Sequence, residues 1–144
     1  MKSTQPCPGA CAASLVQLSG LITARLERSF GRQGISGAAF NTLQVLAASG
    51  GAACPHEISD RLSVSRATVT GVLDSLEQRR LVRRAAHPQD RRMLMVQMTP
   101  RARRLLDRLA PEHDRALQRI FAGLPGRDQQ RLNALLTRLR RQLD

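Results

Sequence analysis

HEISDRLSVSRATVTGVLDSLEQRRLVRRAAHPQDRRMLMVQMTPRARRLL, residues 56–106, decides the fold. Pro55, just ahead of it, can open a helix whose Ile58 and Leu62 face inward. Ser63, Val64 and Ser65 then make a tight connection into the next helix, which Ser65 caps and which buries Val69, Val72, Leu73 and Leu76. A charged step at Gln78 to Arg80 ends that helix. Leu81 to Ala85 and Met93 to Met98 are short extended stretches on either side of His87, Pro88, Gln89, Asp90, Arg91 and Arg92. That polar loop with its turn-favouring proline predicts a β-hairpin with a basic tip. Thr99 and Pro100 form a cap and first-turn proline, and Leu105, Leu106 and Leu109 give the helix that follows its apolar stripe.

Working outward, Leu15, Leu18, Leu21, Ile22 and Leu26 mark a first amphipathic helix from Ser14 to a stop near Gly31–Gly34. Ser36 can cap a second, with Phe40, Leu43, Leu46 and Ala47 as its apolar set and Gly50-Gly51 closing it. Pro111 is expected to kink the fifth helix. After Gly123 to Gly126, Leu132, Leu135, Leu136, Leu139 and Leu143 predict a sixth helix with arginines on its opposite face. The expected order is α-α-α-α-β-β-α-α, a mainly α fold of class α+β. Residues 1–13, rich in Pro, Gly, Ser and Ala, read as a flexible arm, and residues 14–144 as one domain.

Composition narrows the function. The 23 Lys plus Arg against 11 Asp plus Glu leave a formal charge of +12, almost all of it arginine, so a polyanionic partner is expected. Arginine grips phosphate and guanine bidentately and keeps its charge at any relevant pH. With no Trp, no Tyr and three Phe, the chain has few platforms on which single-stranded bases could stack, so duplex DNA is favoured. No window is read as approaching the roughly 20 apolar residues of a membrane span, and no leader pattern precedes Pro6-Cys7-Pro8, so a soluble, cytoplasmic protein is expected. Three cysteines, Cys7, Cys11 and Cys54, do not suggest a disulfide framework.

On a helical wheel, Arg66, Ala67, Thr70, Gly71 and Asp74 fall opposite the apolar stripe of the fourth helix. Ala67 and Gly71, one turn apart, lack the bulk that would keep the helix out of a major groove about 12 Å wide, so Arg66 and Thr70 can reach base edges. Ser65 and Thr68 stand where hydroxyls and backbone N–H groups hold a phosphate. Asp90, Arg91 and Arg92, at the hairpin tip, are placed to enter the adjoining minor groove, with Asp90 orienting Arg92 through an ion pair.

In element order and motif, residues 14–143 resemble the MarR family of winged-helix regulators. The resemblance is strongest in Ser63-Val64-Ser65 through Leu76-Glu77, in the Leu81-Val82-Arg83-Arg84 strand, and in Asp90-Arg91-Arg92 leading to Met98-Thr99. It implies a winged helix-turn-helix over about residues 36–99, with Arg84 in the DNA-binding set. It further implies a homodimer joined through residues 14–34 and 100–143, on a pseudo-palindromic double-stranded operator. Regulators of this kind are typically repressors released by a small, often aromatic or phenolic, acid. The resemblance does not assign a pocket; His56, His113, Arg25 and Arg28 are candidates for meeting a carboxylate. Two departures stand out. Arg80 occupies a position where the family usually carries glycine, where a left-handed cap would cost about 1 kcal/mol, and Pro125 stands where it often has a capping serine.

Other readings carry less. Cys7 and Cys11 precede the first helix, near where peroxide-sensing relatives keep a reactive cysteine, and make a thiol-based oxidant switch the main alternative. Cys7, Cys11, Cys54 and His56 are too far apart in sequence to favour a metal site. His56-Glu57 lacks the second histidine of a zincin helix, Asp60 standing in its place, so no enzyme and no cofactor are expected. A non-specific nucleic-acid-binding winged helix remains compatible with the charge.

Overall fold

A computed structural model describes residues 8–30, 34–90 and 92–143. The chain runs α1 (Pro8–Phe30), α2 (Gly37–Ala48), β1 (Ala52–Ala53), α3 (Pro55–Leu62), α4 (Arg66–Gln78), β2 (Val82–Ala86), β3 (Leu94–Met98), α5 (Pro100–Phe121) and α6 (Gly126–Arg140). Each expected helix and both hairpin strands are present. Ser36, Ser65 and Thr99 cap α2, α4 and α5, each side chain accepting the N–H three residues on.

The core lies between α2, α4, the sheet and the first half of α5. Phe40, Leu43 and Leu46 of α2 meet Ile58 of α3, Val69, Leu73 and Leu76 of α4, and Val96 of β3, all buried. Ala102 and Leu109 anchor α5 on this cluster, and Phe30 brings in the end of α1. Phe30 and Phe40 stack with ring centroids 4.6 Å apart, and His113 of α5 lies 4.8 Å from Phe40.

Three expectations need correction. First, α1 begins at Pro8, so residues 8–13 are helix rather than arm: proline is tolerated in a first turn, and Ala10, Ala12 and Ala13 are strong helix formers. Second, Pro8–Arg28 is by length and composition apolar enough to cross a membrane, because Ala, Gly and Ser dilute its leucines without adding charge. Third, a two-residue strand, β1, completes a sheet of order β1-β3-β2, with Ala52 opposite Gln97 and Ala53 opposite Val96. Two alanines carry no alternation to read; the left-handed Gly50 and Gly51 on one side and the α3 cap on the other leave them extended. α5 runs from Pro100 to Phe121 with Pro111 inside it, exposed, so the carbonyl whose bond it forfeits can turn to water.

Both helices of the helix-turn-helix end on a left-handed residue other than glycine, Ser63 at φ 52° and Arg80 at φ 57°. Arg80 N–H bonds to Glu77 O and Leu81 N–H to Leu76 O, the paired closure that favours glycine at this place. Arg80→Gly is therefore expected to stabilise the protein by about 1 kcal/mol in urea denaturation. Lower stability would show that the arginine, not its backbone angle, matters there.

Candidate nucleic-acid interface

The N-terminus of α4 is tied by its own hydroxyls. Ser65 Oγ accepts Thr68 N–H at 3.1 Å and lies 2.8 Å from Thr68 Oγ1. Val69 N–H bonds to Ser65 O, so the N–H groups of Arg66 and Ala67 have no acceptor among the described residues. An anion at the start of α4 would meet two outward N–H groups at the positive end of the helix dipole.

Arg66, Ala67, Thr70, Gly71 and Asp74 are all exposed on one face, opposite buried Val69, Leu73 and Leu76. A Cβ added at Gly71 would meet nothing within 4 Å, so the gap on this face is open space rather than a packing need. Thr70 Oγ1 donates to Arg66 O at 2.9 Å. Its hydroxyl proton is thereby spent on the backbone, which leaves an acceptor and a methyl group for a base edge.

Arg84, expected in the DNA-binding set, is engaged by two carboxylates of its own chain. Its guanidinium bridges α4 and β2, bonding to Asp74 Oδ1 and to Glu77 Oε2, each at 2.5 Å, while Glu77 Oε1 accepts Arg84 N–H at 3.1 Å. The hydrogen bond to Asp74 is the main cause of a guanidinium pKa above its ordinary value, against the cost of partial burial and with Glu77's charge adding to it. So engaged, Arg84 ties β2 to α4. Its charge offsets those of both carboxylates. The signal was present in sequence as Asp74 and Glu77, one turn apart on α4, but only the fold brings β2 beside them.

A second lock involves Thr99, whose Oγ1 donates toward Arg80 O and Leu81 O at 3.0 and 3.1 Å while it caps α5. Sequence reading assigned it the cap alone. Beyond this lock, β2 and β3 pair antiparallel up to Ala86 and Leu94. His87 N–H bonds to Met93 O and Met93 N–H to Asp90 O across the wing tip. Asp90 Oδ1 accepts Arg92 N–H at 2.9 Å. The expected ion pair is therefore replaced by a turn closed on the backbone, and the Arg92 guanidinium is exposed with no partner among the described residues. Arg91 and Cys7 lie outside the described residues.

Behind α4 a cavity of about 240 Å³ separates the winged helix from α1, lined by Thr23, Leu26 and Phe30 of α1, Ala38 and Thr42 of α2, and Thr68, Val69 and Val72 of α4. Of the residues considered for a carboxylate, His113 is instead buried in the aromatic stack and His56 is exposed on α3. Arg25 and Arg28 line another groove, with Leu18, Leu21, Ile22 and Arg119. Cys54 is buried ahead of α3, where burial, with Glu57 adding, pushes its thiol up. Cys11 is exposed on α1, in an apolar groove with Leu15, Leu18, Leu135, Leu136 and Leu139.

This arrangement has counterparts among known proteins. The MarR family profile matches residues 33–93. The HTH-type transcriptional regulator PecS of Dickeya dadantii is 30% identical over 132 residues, covering 90% of this chain and 80% of PecS. Among solved structures, the MarR family regulator Sco3205 of Streptomyces coelicolor, determined in complex with DNA, superposes with a TM-score of 0.86 at 23% identity, covering 93% of this chain and 86% of Sco3205. Bordetella bronchiseptica BpsR, whose DNA binding is regulated by 6-hydroxynicotinic acid, gives 0.83 at 24% identity, covering 96% and 95% of the two chains. At those identities the two structures establish the fold.

Proposed function

This chain belongs to the MarR family of DNA-binding transcription regulators, and on that premise we propose that it is a homodimeric repressor of a pseudo-palindromic operator, released by a small aromatic or phenolic acid. The observation that carries the DNA-reading part is the small exposed face of α4, which begins at capped Ser65 and is clamped to the wing through Arg84. In this reading α4 enters the major groove. Ser65, Thr68 and the N–H groups of Arg66 and Ala67 hold phosphate, Arg66 and Thr70 address base edges, and Ala67 and Gly71 give clearance. Arg92, with Arg91 beside it in sequence, enters the flanking minor groove from a turn that Asp90 closes.

Dimerisation is supported by apolar surface that a single chain leaves uncovered. No residue of α6 is buried, and Leu135, Leu139 and Leu143 are 56%, 43% and 81% exposed, as is Val16 of α1 at 75%. A second copy would cover this surface and double a charge of +12, so that binding depends steeply on salt. Release is supported by the cavity behind α4. Thr68 lines it and also stands in the first turn of the reading helix, so a ligand there that favours a shifted α4 lowers affinity for DNA.

Competition on double-stranded operator candidates tests the DNA contacts. Arg92→Ala is expected to weaken binding by about 1–3 kcal/mol, and Thr70→Ala to relax preference at one base pair with a smaller loss. Unchanged binding in both variants would reject the assignment. In a thermal-shift series of small aromatic acids, an acid that raises Tm is expected also to dissociate the operator complex. Acids that stabilise the protein without displacing DNA would reject the release mechanism.

A further inference from the structure

The geometry points to a second anion site, on the opposite end of α4 from the reading face, that takes an oligophosphate. Arg101, Arg104 and Arg108 follow one another at steps of three and four along α5 and so share a face. The end of α4 brings Arg79 against that face. Together with Leu81 and Leu105, these four arginines line a concavity of about 440 Å³.

No carboxylate lines this groove, and none of the four arginines has an ion-pair partner among the described residues. Asp107 and Glu112 lie on the same helix but neither lines the groove nor pairs with these arginines. Arg79 is steadied by donating to Gly34 O, which holds it in place without neutralising it. Four permanent positive charges in one concavity make a potential that a polyanion relieves, and the planar fork of arginine matches phosphate oxygens in pairs.

Size and charge select the ligand class. An aromatic monocarboxylate would answer one charge in four, whereas a chain of phosphates answers three or four within a volume usual for small-molecule sites. The groove lies beyond the C-terminus of α4, a helix of 13 residues and hence about 20 Å from Ser65, so this site is separate from the operator-reading end.

The test titrates the full chain with sodium tripolyphosphate and, separately, with ATP, at about 0.15 M salt. Saturable binding is expected, weakened at least about tenfold by the double variant Arg104→Gln/Arg108→Gln. A control with the same loss of charge, Arg127→Gln/Arg131→Gln on α6, should change it less than about twofold, since it leaves the groove intact. Equal affinity for ATP and tripolyphosphate would assign recognition to the phosphates alone; tighter ATP binding would add a contact of the base with Leu81 or Leu105. Absence of saturable binding overturns the proposal, as does an equal loss in the control. It also falls if the double variant loses affinity only for DNA, which would make these arginines a backbone contact.

Discussion

Leu135→Asp combined with Leu139→Asp is expected to leave a folded monomer whose operator affinity is lower by at least about a hundredfold. The two leucines stand on α6, none of whose residues is buried by its own chain, and they face Leu15 and Leu18 of α1 across an apolar groove. In the single chain the aspartates would be solvated and nearly without cost. Between two chains each would be an unpaired charge in an apolar seam, at several kcal/mol apiece. On the proposed pseudo-palindromic operator a monomer would forfeit the second half-site, which tethering makes effectively intramolecular and worth a factor of about 10² to 10⁴. Sedimentation velocity and competition on operator DNA give the two readouts, and far-UV circular dichroism shows whether the chain remains helical. A variant that stays dimeric would remove α6 from the interface; a monomer that keeps wild-type affinity would remove dimerisation from the mechanism.

Gly71→Leu should separate folding from recognition. A side chain at this position meets no neighbour within 4 Å, and replacing a mid-helix glycine by leucine is expected to raise stability by up to about 1 kcal/mol. In the proposed function the same side chain stands one turn from Ala67 on the face that enters the major groove. Operator affinity is expected to fall at least about a hundredfold, roughly 2.8 kcal/mol. Chemical denaturation and DNA titration on the same preparation would show opposite signs. Unimpaired DNA binding by a stabilised Gly71→Leu protein would mean that this face of α4 does not enter the groove.

The helices of this protein were legible because their signals are local. Ser36, Ser65 and Thr99 each cap the helix that the apolar period places after them, and the same serine or threonine accepts the N–H three residues on. The hairpin was legible for a similar reason, since Pro88 and Asp90 favour a turn between two short extended runs. β1 was not legible: Ala52 and Ala53 are strand only because β3 offers them hydrogen bonds from more than forty residues away in sequence. The start of α1 was misread because Pro8-Gly9 resembles a loop, while the alanines that follow propagate helix back to the proline.

At the interface the division is sharper. Sequence alone determined which residues stand on the exposed face of α4, because a helical period and a cap assign faces without reference to anything distant. It also determined the excess of arginine and hence the preference for a polyanion. Only the tertiary structure decided what the charged groups do. It gave Arg84 the carboxylates of Asp74 and Glu77 as partners, gave Asp90 to the Arg92 backbone rather than its guanidinium, and gathered Arg79 with the arginines of α5. The physical reason is one of range: caps and periods are settled within a turn or two of chain, whereas a charge takes its role from whichever neighbours the fold brings within a few ångströms.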